Sequence, residues 1–317
     1  MTAATTAGTV TTTTTQTVAT TATETATTTA TENLAEAVGG SPRTVPGRAG
    51  EWLASLGPDR VQLCGVYDEL GAPLYEDLCR RDTFEVREIV SLVRTTRGPV
   101  LDLAAGTGRL TLPLLAAGRE VTALELSPYM LELLGERLAE APARLREKCT
   151  PVRGDMASFA LDARFGAVVL GTTSVSLLDA AGRAGLYRCV REHLAEGGLF
   201  LLSTVDVRTG DGTEQEVRVA ATGASGQLYH LHEHHNPEAG TRTVTLHRAQ
   251  ADEAPLDENV LDENPLTVCT STVAVLPSAQ LEAELTAAGF RVRAQHRPAG
   301  SDGRHDAVLL EAEVAPR

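Results

Sequence analysis

The stretch Val100-Leu101-Asp102-Leu103-Ala104-Ala105-Gly106-Thr107-Gly108-Arg109-Leu110 reads as a short apolar strand, a glycine turn and the start of a helix. The helix is expected to begin near Arg109 and to run through Leu110, Leu112, Leu114 and Leu115. Gly106 and Gly108 permit positive φ and leave no Cβ in the way of a ligand. A helix opening just after them presents free backbone N–H groups above the strand. The next apolar run, Val121-Thr122-Ala123-Leu124, ends on Glu125, whose carboxylate can accept both hydroxyls of a ribose. This is the wiring of a nucleotide site at the edge of a parallel sheet, and it points to an adenosine-containing cofactor. A dinucleotide fingerprint would need a glycine where Thr111 stands, and no Walker-type phosphate loop occurs.

The spelling D-L-A-A-G-T-G-R resembles motif I of the class I S-adenosylmethionine-dependent methyltransferases, usually D-x-G-x-G-x-G, with Ala104 in place of the first glycine. Leu124-Glu125-Leu126-Ser127 resembles the family's acidic strand end, and Gly154-Asp155-Met156 its adenine-contacting motif. Phe165 to Leu170 resembles the fourth strand, and His193 to Leu202 the helix end, turn and fifth strand. The resemblance covers roughly residues 60 to 205 in the family's order. It implies S-adenosylmethionine as cofactor. Asp102, Ala104, Gly106 and Gly108 then fall at the methionine end, Glu125 with Leu126 at the ribose, and Asp155 with Met156 at the adenine. Gly171, followed by Thr172, Thr173 and Ser174, falls where the family faces the transferring methyl; these hydroxyls either orient a substrate or cap a helix.

The fold implied is α/β: a doubly wound, seven-stranded, mostly parallel sheet, Rossmann-like, with an antiparallel β insertion between its fifth and sixth strands. The expected divisions are a Thr-rich disordered tail (1–47), an N-terminal helical cap (48–97), the cofactor-binding core (98–206), the insertion as a substrate roof (207–276), and a C-terminal helix with the closing strands (277–317). Within the cap, helices are expected at Gly50–Leu56, Val66–Leu70, Leu74–Leu78 and Asp82–Val93, with Thr83 opening a cap. Ser127-Pro128 opens a helix in the core, and Gly197-Gly198 closes another. In the insertion, Gln227–His235 and Thr241–Arg248 form a hairpin around Asn236–Gly240. Asp252–Pro265 reads as a mobile loop.

The net charge of −14 argues against a general phosphate-backbone binder, and no apolar run is long enough to span a bilayer. Five scattered cysteines without C-x-x-C spacing fit a reducing, cytoplasmic setting. The Thr/Ala tract at the start lacks the apolar content to offset chain entropy.

Three residues are candidates for the chemistry. Tyr67 and Tyr75 precede the first core strand, where related enzymes close the cofactor pocket with an aromatic. His232 belongs to the row His230, His232 and His234 on one strand face, which suits a substrate base, a metal ligand or a plain exposed face; no metal is assigned. The partner expected is a small-molecule or peptide amine, with a homodimer as an allowed assembly. The N-terminal Tyr-Asp helix, the core and the β-hairpin roof resemble small-molecule N-methyltransferases, including the amino-sugar type. Leu74–Val90 and Leu170–Leu178 resemble methyltransferases of daptide-type ribosomal peptide pathways, which implies N-methylation, or dimethylation, in natural-product biosynthesis. O- or C-methylation with a histidine base, an NAD(P)-dependent oxidoreductase and a non-catalytic scaffold are the alternatives.

Overall fold

A computed structural model of the chain describes residues 45–207, 215–249, 265–298 and 305–316. Apart from their final residues, the expected disordered tail and the expected mobile loop lie outside these ranges.

Strand β2 (Val100–Leu103) has only four residues, all buried, and pairs in parallel with β3 (Val121–Glu125) and with β5 (Phe165–Leu170). A strand flanked on both edges and covered on both faces leaves no solvated position, so it reads as an almost unbroken apolar run. Asp102 is the exception, and its Oδ2 accepts a 2.6 Å hydrogen bond from Thr111 Oγ1.

The sheet has seven strands in the order β11–β12–β6–β5–β2–β3–β4, with β4 (Cys149–Arg153), β6 (Leu194–Val207), β11 (Phe290–His296) and β12 (His305–Val314). Strands β2 to β6 are parallel; β12 runs antiparallel to β6, and β11 to β12. The chain moves outward from β2 through β3 to β4, then crosses back to β5 on the other edge of β2. That reversal opens a crevice at the carboxyl ends of β2 and β5.

Helices α3 (Val86–Val93), α4 (Thr111–Ala116), α5 (Pro128–Glu140) and the short α6 (Ala143–Arg146) pack on one face with Val100, Val121, Ala167 and Leu201. Helices α7 (Ala180–His193) and α8 (Ser278–Ala287) pack on the other with Leu101, Leu103, Val168 and Phe200. Side chains alternate between the two cores with period two. Each fully buried one contributes about 1.5–3 kcal/mol, so a register slip would be costly. Ser127 opens α5 as expected: its Oγ accepts from Met130 N at 3.3 Å and Pro128 takes the first turn.

The second sheet has five strands, β1–β10–β9–β8–β7. Strands β7 (Gln215–Thr222), β8 (Leu228–Asn236), β9 (Thr241–Arg248) and β10 (Leu266–Ala274) are antiparallel neighbours, and β1 (Val61–Gly65) joins β10 in parallel. The expected hairpin is β8–β9, inserted after the fifth core strand. β1 was not expected: five residues inside a segment read as helical carry too little pattern, and only pairing with β10 makes them a strand.

Three local readings are corrected. Val66–Leu70 is a turn, because the Asp68 carboxylate accepts from the backbone N–H groups of Gly65, Leu70 and Gly71. Thr83 does not cap α3; Asp82 Oδ1 accepts from Phe84 N, and the helix starts only at Val86 after Glu85 turns into the left-handed region at φ +55°. Helix α7 ends at His193, and Gly197-Gly198 lies inside β6, at a shift of register against β5.

Helix α1 (Gly47–Leu56) lies against the even-numbered face of β8, with the Trp52 ring 6.3 Å from His232 and 4.8 Å from His247. The Glu216 carboxylate accepts from Arg48 N and Ala49 N, as an anion does at a helix N-terminus. The odd-numbered face packs on α2 (Gly71–Cys79) through Tyr229, Leu246, Cys64 and Cys269. Among the described residues no helix is long and apolar enough to cross a membrane.

Candidate active site

A cavity of about 430 Å³ opens at the carboxyl ends of β2, β3 and β5. Its wall contains Tyr67, Tyr75, Asp102, Ala104, Gly106, Glu125, Leu126, Asp155, Met156 and Gly171, ten of the twelve residues singled out in the sequence. The remaining two, Gly108 and His232, lie elsewhere.

Gly106 stands at φ +54°, and a Cβ there would meet nothing within 4 Å, so the turn is open on the cavity side. Gly108, at φ +89°, serves packing instead: a Cβ would come within 2.5 Å of Leu134 Cδ1 on α5. His232 belongs to the roof face covered by α1, where its Nε2 lies 3.3 Å from His247 Nε2. Burial pushes its pKa below the usual imidazole value. His232 and His247 thus pack under Trp52, and none of His230, His232 and His234 lines the cavity. His235, on the opposite face of β8, is buried with no hydrogen-bond partner at Nδ1. Among the described residues no group of three or more His, Cys, Asp or Glu is placed to hold a metal.

Glu125 is buried at the end of β3, yet its oxygens are not free. Oε2 accepts from Gly106 N at 2.9 Å and Oε1 from Ser127 N at 2.8 Å. Burial raises its pKa, and the backbone donors of Ser127, Gly106 and Leu126 oppose the rise. The carboxylate therefore ties the tip of β3 to the glycine turn and keeps lone-pair capacity for a ligand hydroxyl. Asp155 Oδ1 accepts from Ala157 N at 2.8 Å, which shapes the turn that carries Met156 into the wall. Burial pushes the Asp102 carboxyl up to about 7, against the hydroxyl that Thr111 donates to it.

Tyr67 and Tyr75 meet edge to face, ring centroids 5.8 Å apart. Burial, with the Glu125 charge second, pushes the Tyr67 phenol up to about 12, and burial also raises that of Tyr75 well above 10. Both are neutral at physiological pH. The turn after β1 positions Tyr67: its backbone O accepts from Ser127 Oγ at 2.6 Å, which binds the N-terminal segment to the end of β3.

The sequence reading missed one assembly. Arg109 lines the cavity while nine-tenths buried; its Nη2 donates to Glu85 Oε1 at 2.6 Å and to Thr172 Oγ1 at 2.5 Å, and its Nη1 to Phe84 O at 2.6 Å. Glu85 Oε1 also accepts from Thr172 N at 2.7 Å. A side chain at position 171 would collide with Leu110 and with Glu85 Oε1, so Gly171 makes the room for this pair. Nothing in the sequence marked Glu85, which sits in a helical pattern and becomes internal only because the backbone turns left-handed there. Asp179, also in the wall, caps α7 by accepting from Gly182 N at 2.7 Å.

These residues fit an adenosine-bearing cation. A doubly supported carboxylate stands at the strand tip beside a turn without a Cβ, and Leu124, Leu126, Met130 and Met156 supply apolar walls for a flat base.

The comparisons with known proteins agree. The sequence profile of a family described as a methyltransferase domain matches residues 100–198. The glycopeptide N-methyltransferase MtfA, solved in complex with S-adenosyl-L-homocysteine, is 41% identical, with 86% of this chain and 100% of that one covered and a TM-score of 0.60. The CcbJ methyltransferase of Streptomyces caelestis shares the fold at 22% identity and TM-score 0.64, over 80% of this chain and 99% of that one. CalS10, an amino pentose methyltransferase from Micromonospora echinaspora with S-adenosylmethionine bound, shares it at 22% identity and TM-score 0.56, over 77% and 97%. Crevice, acidic strand end and glycine turn, together with a 41%-identical relative covered along its whole length, place this chain in the class I S-adenosylmethionine-dependent methyltransferase family.

Proposed function

We propose that the chain N-methylates an amine in natural-product biosynthesis. The observation that carries this reading is the charge and protonation of the cavity wall. It holds four acidic side chains, Asp102, Glu125, Asp155 and Asp179, of which burial leaves Asp102 partly protonated at neutral pH, against one cation, Arg109, which is already paired with Glu85. Such a wall attracts cationic and basic ligands. Among its residues there is no histidine, and both tyrosines are held neutral. A phenol or carbon acid needs a strong base, whereas an amine that has lost its proton to water carries its own lone pair.

When bound, S-adenosylmethionine supplies an electrophilic methyl group on a cationic sulfur. In this reading Glu125 accepts from the ribose hydroxyls, and Leu126, Met156 and the Asp155 turn hold the adenine. The open backbone at Ala104–Gly106 receives the methionine end. Tyr67 and Tyr75 close the crevice from the N-terminal side and exclude water from the reacting atoms. The glycopeptide N-methyltransferase among the similar structures supports an amine acceptor.

The test is incubation with S-adenosylmethionine and matched panels of primary amines and phenols, read by mass spectrometry. Amines gaining a methyl group while phenols stay unmodified is the expected result. Phenol methylation without amine methylation would remove the reading in favour of a base-assisted O-methyltransferase.

A further inference from the structure

Of the four non-glycine residues with positive φ among the described residues, Ala104 and Thr172 line the cavity, Glu85 is hydrogen-bonded to Thr172, and Thr173 follows Thr172 in the chain. Branched side chains are rare in this region of backbone space. Thr172 and Thr173 nevertheless occupy it in succession, at φ +57° and +58°, one glycine beyond the strand that ends at the crevice. Glycine would follow the same bend without steric cost. What threonine adds is a hydroxyl.

The direction of that hydroxyl's hydrogen bond is forced. A guanidinium has only donors, so Arg109 Nη2 donates to Thr172 Oγ1 at 2.5 Å. The hydroxyl proton is left over, and Thr172 is exposed and lines the cavity, whereas Glu85 and Arg109 behind it are buried. A charged pair thus braces one exposed donor at the mouth of the switch point.

We propose that Thr172 is a specificity-determining hydrogen-bond donor to an oxygen of the acceptor beside its accepting nitrogen, so that the substrate is an amino carbonyl or amino alcohol and not a plain alkylamine. Donation to the nitrogen itself would occupy the lone pair that must attack, so the partner is a neighbouring oxygen. Glu85 and Arg109 are positioning residues for this hydroxyl. The inference rests on the amine reading above and narrows its substrate class.

The experiment compares phenylalaninamide with 2-phenylethylamine, which differ by the carboxamide alone, in the wild type, Thr172→Val and Thr172→Ser. Valine keeps the branched Cβ and its backbone cost but lacks the hydroxyl; should that variant fold poorly, Thr172→Gly removes the hydroxyl while suiting positive φ. The hydroxyl should contribute about tenfold to the wild type's preference for the amide in kcat/KM, beyond the part that comes from the amide's less basic nitrogen. Thr172→Val should lose that tenfold share of the preference and Thr172→Ser should restore it. Calorimetry with S-adenosylhomocysteine present should show phenylalaninamide binding about 5–10-fold weaker to Thr172→Val, with unchanged affinity for S-adenosylhomocysteine. An unchanged preference and unchanged amide affinity in that variant would overturn the role of Thr172 alone. A wild type that binds S-adenosylhomocysteine but methylates neither amine would overturn the amine reading and this inference with it.

Discussion

Replacing Asp102 by asparagine should make the protein more stable, and increasingly so as pH rises. The carboxyl is 1% exposed in the middle of the sheet, with one side-chain donor, Thr111. Burial moves its pKa from 3.8 to about 7. A folded-state value above the unfolded one means that the folded protein holds the proton more tightly. The wild type therefore loses stability between pH 3.8 and 7 and stays at the lower level above pH 7. At about 1.4 kcal/mol per pH unit, the full cost is about 4 kcal/mol, most of it incurred between pH 5 and pH 8. Asparagine keeps the size and can still accept from Thr111, but carries no charge to desolvate. Urea unfolding of both proteins at pH 5 and pH 8, without cofactor, should give a difference that grows by about 2–3 kcal/mol in favour of Asp102→Asn. Parallel pH dependences in the two proteins would refute the reasoning, since they would mean that Asp102 titrates normally in the fold.

Glu125→Ala should weaken S-adenosylmethionine binding by about 1–3 kcal/mol in calorimetry, and an unchanged dissociation constant would take Glu125 out of the ribose site. His232→Ala should leave kcat within about twofold of wild type, because that side chain stacks under Trp52 on the far face of the roof. A loss of several hundredfold would return it to the chemistry. Gly108→Ala should cost about 1–3 kcal/mol in thermal or chemical unfolding, from the collision with Leu134 and the backbone at φ +89°. Wild-type stability in that variant would contradict the packing role.

Much of the site was legible because it is local in the chain. Strand, glycine turn and acidic strand end lie within residues 100–125, and the order of those residues is dictated by one βα crossover. Asp102, Ala104, Gly106 and Glu125 meet in one cavity for that reason, and the parallel strands bring Asp155, Met156 and Gly171 to the same edge. The exceptions are instructive. Gly108 follows the motif, but its missing Cβ makes room for α5. His232 was found by alternation along a strand, and alternation defines two faces without saying which one looks inward. The covering helix α1, held by Glu216 and Trp52, decided that.

The amino-acid order alone thus determined the doubly wound sheet and its cofactor crevice, since apolar period and turn chemistry are carried by neighbours in the chain. Tertiary structure alone decided the rest. β1 is a strand because β10 lies beside it, 205 residues on at the Cys64–Cys269 pair. Glu85, Arg109 and Thr172 form one assembly because the crossovers bring residues 24 and 63 positions from Arg109 within hydrogen-bonding distance of its guanidinium. Such contacts depend on where whole elements pack and on a backbone turned left-handed, neither of which a one-dimensional pattern encodes.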